Sequence, residues 1–158
     1  MIKPDPRNDK GLDLAVLARI AGNPDITQAV LAEELNVSIG TVNARLKQLV
    51  QQGSIEVKQA KRRKLRYIIT PEGQALQRRL TDDYVQQSFT LFRQVRQHVN
   101  TALQALNDTD TDALCLQGSG DIAEVCRLVC LENGIRITDE PGVPNLVVEG
   151  LDIRIEQP

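Results

Sequence analysis

The stretch Val30–Val57 reads VLAEELNVSIGTVNARLKQLVQQGSIEV and runs on through KQAKRRK (58–64) into LRYIITPEG (65–73). Val30, Leu31 and Leu35 recur at helical spacing and predict a short helix with one apolar face. Asn36-Val37-Ser38 reads as a tight turn, and Ser38 is a good N-cap for a following helix. In that helix Val42, Leu46 and Leu49 face inward, and Gly53 stands where a stop residue takes positive φ. Ile55 and Val57 alternate with polar residues as a strand should, and so do Leu65, Tyr67 and Ile69. Lys58 through Lys64 is the expected hairpin tip. Thr70-Pro71-Glu72 then supplies an N-cap, a first-turn proline and an acidic first turn, a well-formed helix start.

Upstream, Leu12, Leu14, Ala15, Leu17, Ala18 and Ile20 predict an amphipathic helix stopped by Gly22-Asn23-Pro24, with 1–10 read as a flexible arm. Residues 11–80 thus spell helix, helix-turn-helix and a two-stranded wing, the layout of a winged helix-turn-helix DNA-binding domain. Downstream, 71–107 reads as one helix of about 36 residues, on the order of 55 Å long. Its apolar positions Val85, Phe89, Phe92, Val99, Leu103 and Leu106 step in heptad-like fashion, with Arg96 where another apolar residue is expected. That spacing predicts a dimerisation seam and therefore a homodimer. Asn107–Asp112 is an acidic linker, and residues 112–158 change class to a small α/β module. Its strands are expected at Ala113–Leu116, Ile135–Thr138, Asn145–Val148 and Asp152–Glu156, with a helix over Asp121–Asn133. The expected fold class is α+β.

Composition narrows the partners. The formal charge of −2 conceals an asymmetry: residues 1–80 carry 14 Lys/Arg against 8 Asp/Glu, net +6, and residues 81–158 carry 5 against 13, net −8. Polyanion binding is thereby confined to the first half. Three cysteines without framework spacing point to a reducing compartment. No apolar run reaches the length of a membrane span and MIKPDPRNDK lacks a signal-peptide core, so a cytoplasmic protein is expected.

In a helix-turn-helix the second helix enters the major groove with its early outward residues. Here these are Ile39, Gly40, Thr41, Asn43, Ala44 and Arg45, with Lys47 and Gln48 further along. Arg suits guanine, Asn suits adenine, and Thr serves a base edge or a phosphate. Ser38 is expected to bond a phosphate as well as cap the helix. The wing adds Lys58, Lys61, Arg62, Arg63 and Lys64, whose dense like charge calls for a polyanion and predicts salt-sensitive affinity for double-stranded DNA.

On LAEELNVSIGTVNARLKQLVQQGSIEV and YIITPEGQAL, the chain resembles the bacterial MarR-like winged helix-turn-helix regulators over about Asp13 to Leu80. The resemblance implies a dimeric transcriptional regulator on a near-palindromic operator, with Thr41, Asn43 and Arg45 on the reading helix and Arg62 and Arg63 on the wing. The family usually places a ligand pocket between its dimerisation helices, whereas this chain has one long helix and a separate α/β piece.

Gly118-Ser119-Gly120-Asp121-Ile122-Ala123 matches G-x-G-x-x-A between a strand and a helix, with Asp139 and Glu140 about twenty residues on. It resembles the start of a Rossmann-like domain, such as those fused to some winged-helix regulators near polysaccharide-synthesis genes. A nucleotide would then meet Gly118, Ser119, Gly120 and Asp139. Against this, Asp121 places negative charge where a phosphate would sit, and the chain is short for a nucleotide-binding half. The default expectation is no cofactor. Cys126 and Cys130 share a helix face with Ile122 and Val129 and read as packing, as does Cys115, expected to point inward. His98 lacks ligand partners, so no metal is expected. No catalytic base or nucleophile stands near the glycines, and the chain does not read as an enzyme. Two alternatives remain beside the regulator: a nucleotide- or metabolite-responsive sensor, and a protein-interaction module without DNA binding.

Overall fold

The computed structural model describes residues 5–106 and 111–158, and of Arg63 the backbone alone. The chain divides into two compact units that part between Gln86 and Gln87.

In the first unit, Asn8 caps helix α1 (Asp9–Gly22) by accepting from the Gly11 amide at 2.7 Å, so the helix begins inside the expected arm. Thr27 caps α2 (Gln28–Leu35) in the same way. Asn36 ends α2 in the left-handed region (φ 54°), a conformation its short polar side chain tolerates. Ser38 then starts α3 (Ile39–Gln51). Strands β1 (Ile55–Gln59) and β2 (Leu65–Ile69) pair antiparallel, in a register that sets Ile55 against Ile69 and Lys58 against Arg66. Lys58 therefore belongs to a strand, and the hairpin tip is shorter than expected, a 3-10 turn over Lys61–Arg63. The core gathers Leu17 and Ile20 of α1, Leu31 of α2, Val42 and Leu49 of α3, and Ile55 and Tyr67 of the hairpin.

Helix α4 (Pro71–Gln104) starts where Thr70 donates to the Gly53 carbonyl and accepts from the Gly73 amide. It lends Leu80 to the first core and Val95, Val99 and Leu103 to the second. The second unit continues with β3 (Ala113–Gln117), α5 (Asp121–Glu132), β4 (Arg136–Ile137), β5 (Asn145–Glu149) and β6 (Asp152–Glu156). The sheet order is β4-β3-β5-β6, with β3 parallel to β4 and β5, and β6 antiparallel on β5. β3–α5–β4 is a βαβ unit, and α5 is the single crossover helix. Leu114, Leu116, Leu146, Val148, Ile153 and Ile155 fall on one sheet face and pack with α5 and the end of α4.

Two expectations are corrected here. Val95 and Val99 are fully buried, and Leu103 and Leu106 nearly so, within the chain's own unit. Each such side chain gains about 1.5–3 kcal/mol on burial, so the chain's own α/β unit covers Val99, Leu103 and Leu106 of the expected dimer seam, and Val95 beside them. Of that seam only Val85 (42%) and Phe89 (59%) stay well exposed. Cys115 follows the period of two onto the face opposite Leu114 and Leu116, so it lies half-buried outside the apolar cluster, whereas Cys126 and Cys130 are inside it.

Candidate nucleic-acid interface

Helix α3 buries Val42, Leu46 and Leu49, and the helical period leaves Gly40, Thr41, Ala44, Lys47, Gln48 and Gln51 exposed on the opposite side. The start of this exposed stripe is well ordered. Ser38 Oγ accepts from the Thr41 amide at 3.0 Å and lies 2.8 Å from the Thr41 hydroxyl. Asn43, half-buried, sits on one flank of the stripe.

Arg45 sits on the other flank, and its geometry corrects the expectation that it reads a base. Its Nε donates to Asp13 Oδ1 at 2.9 Å and one terminal nitrogen to Asp13 Oδ2 at 2.6 Å, a two-pronged pair that ties α3 to α1. Its other terminal nitrogen donates to Gln48 Oε1 at 3.0 Å and lies 3.4 Å from an Asp9 carboxylate oxygen. The guanidinium is thus surrounded, with the Arg45 and Asp13 side chains 13% and 14% exposed. Burial is the chief influence on Asp13 and pushes its carboxyl above the ordinary value, against the hydrogen bond and charge of Arg45. Sequence alone did not reveal this pair, because Asp13 lies on a different helix 32 residues earlier.

The wing presents its charge differently. Lys58 and Arg66 stand directly opposite each other across the hairpin, an unfavourable like-charge pairing. Arg66, absent from the sequence-based set, is answered by Asp25 at 3.7 Å. Among the described residues no carboxylate lies within ion-pair distance of Lys47, Lys58, Lys61, Arg62 or Lys64. Arg62 holds the wing apex at φ 65°, ψ 39°, an uncommon conformation for a side chain of its size. The side chain of Arg63 lies outside the described part of the structure.

The glycine motif takes the place expected of it, between β3 and α5. Gly118 has φ 152°, and a Cβ there would meet Val148 Cβ at 2.9 Å, so the turn closes directly over β5. Ser119 lines a pocket with Asp121, but Asp139 is not among its lining residues, and no Lys or Arg is either. Gly118 and Gly120 do not line that pocket either. Among the described residues no His, Cys, Asp and Glu cluster has the makings of a metal site. No helix there is long and apolar enough to cross a membrane.

A recognition helix with an exposed polar stripe, followed by a cationic two-stranded wing, defines a winged helix-turn-helix. Residues 10–56 match the family described as winged helix-turn-helix DNA-binding. Among solved structures the chain is similar to a MarR family transcription regulator, with 22% identity and a TM-score of 0.44. That likeness covers 49% of this chain and 53% of the other, so the chain spans about half the length of that structure. No curated protein matches the chain.

Proposed function

We propose that the chain is a sequence-specific transcriptional regulator that binds double-stranded DNA as a homodimer. The observation that carries the reading is the exposed stripe on α3 that starts at Gly40 and Thr41, together with Lys47 and the wing cations Lys58, Lys61, Arg62 and Lys64, which have no carboxylate within ion-pair distance among the described residues. In the same unit Arg19, Arg45 and, on the wing itself, Arg66 are answered by carboxylates, whereas Arg78 and Arg79 on α4 have no such partner among the described residues. Exposed cations lose little by standing unpaired, but a phosphate backbone binds several of them at once and releases counterions. In this reading Thr41, Ala44 and Gln48 meet base edges, Asn43 flanks them, and Ser38 and the wing cations hold phosphates. Arg45 leaves the reading set and becomes the brace that holds α3 on α1.

Support for the homodimer is narrower. Phe89, 59% exposed on α4, is a large aromatic left uncovered among the described residues. Selection of duplexes from a random-sequence pool by the full chain tests the reading, followed by sedimentation with the enriched site. An enriched two-fold motif bound by two chains is the expected result. An unenriched pool overturns sequence-specific binding and favours a protein-interaction module, and one chain per site overturns the dimer.

A further inference from the structure

The second unit holds a pocket of about 320 Å³ whose walls are Leu91, Phe92 and Val95 of α4, Ile122 and Val125 of α5, and Val148 of β5. Its polar rim is Ser119, Asp121 and Gly150. The location follows from the topology. β3 sends its chain through α5 to β4 on one side, and β5 lies on its other side, so the order turns about β3. Open sheets with parallel strands bind ligands in the crevice beyond the strand ends at such a point. The rim is also held in place: His98 Nδ1 donates to the Leu151 carbonyl at 2.8 Å, which pins the β5–β6 turn beside Gly150.

The lining decides the chemistry. No Lys or Arg lines the pocket; the first amides of α5 lack a side-chain cap, but the one charged lining residue is the carboxylate of Asp121, with Glu124 also in that first turn, and their charge disfavours a pyrophosphate. The volume is at the low end for small-molecule sites, which suits one or two rings. We infer that this pocket binds a small apolar ligand bearing a cationic amine, its ring among Leu91, Phe92, Ile122 and Val148 and its amine on Asp121. The site is separate from the winged helix and gives the second unit a ligand-binding role that does not depend on DNA binding.

The test follows amide chemical shifts of the ¹⁵N-labelled full chain during titration with 2-phenylethylamine, 3-phenylpropionate or NAD. The amine is expected to shift Ser119, Ile122, Val125 and Gly150 saturably, and the acid to bind at least about tenfold more weakly. Asp121→Asn, a surface change, should bring the amine down to the level of the acid. Val125→Phe, which fills the pocket, should abolish the amine shifts; if that variant loses its folded spectrum, Asp121→Asn decides. The inference is overturned if the acid or NAD shifts these amides as strongly as the amine does. It is equally overturned if the amine shifts none of them at millimolar concentration, or if Asp121→Asn keeps the preference.

Discussion

Arg45→Ala removes the charged brace between α3 and α1 and leaves Asp13 behind it. Both side chains are withdrawn from water, at 13% and 14% exposure, and joined by bonds of 2.9 and 2.6 Å. Removing one partner of a fully buried pair costs about 3–5 kcal/mol because the other charge is stranded. The residual exposure and the lesser contacts to Asp9 and Gln48 bring the expected loss to about 2–3 kcal/mol. With a urea slope of ~1.5 kcal/mol/M, the unfolding midpoint falls by about 1.5 M. Tyrosine fluorescence isolates the relevant unit, because the chain has no Trp and both of its tyrosines, Tyr67 and Tyr84, precede Gln86. The pH dependence has a definite sign. A carboxyl raised on folding adds stability below its unfolded pKa and loses that contribution as pH rises through the folded one. Burial already raises Asp13, and loss of Arg45 removes the influences that pull it down. The deficit of Arg45→Ala is therefore largest at neutral pH and shrinks as falling pH protonates Asp13. Asp13→Leu with Arg45→Met should recover most of the loss. An unchanged midpoint for Arg45→Ala at neutral pH refutes the reasoning. So does a stable double variant whose preferred DNA sequence has changed.

Lys61→Ala and Lys64→Ala should each lower the slope of log affinity against log salt by about one, with little change in sequence preference, as measured by fluorescence anisotropy. Arg62→Gly relieves the left-handed wing apex, so urea unfolding should show a gain of no more than about 1 kcal/mol while DNA affinity falls. Leu103→Ala should destabilise the second unit by roughly 2–4 kcal/mol in hydrogen exchange and leave the sedimentation coefficient of the folded chain unchanged. Burial pushes the Cys126 and Cys130 thiols up to about 11, so mass spectrometry after brief iodoacetamide treatment at neutral pH should find Cys115 alkylated first.

Local chemistry wrote much of this protein legibly. The Ser38 and Thr70 caps, the period of three and four in Val42, Leu46 and Leu49, and the period of two in the wing are short-range features. Side-chain spacing along one element suffices to specify them, and they are enough to place an exposed stripe beside a cationic hairpin. The strand–glycine–helix order of the second unit was legible for the same reason. Partnership between distant elements was not. Asp13 claims Arg45 because packing α1 on α3 brings a carboxylate to the flank of the reading helix, and no periodicity encodes that encounter. Heptad-like spacing in α4 says that an apolar face must be covered, but not by what. The tertiary structure assigns Val95, Val99 and Leu103 to the chain's own sheet, since burial is non-directional and rewards whichever apolar surface is present.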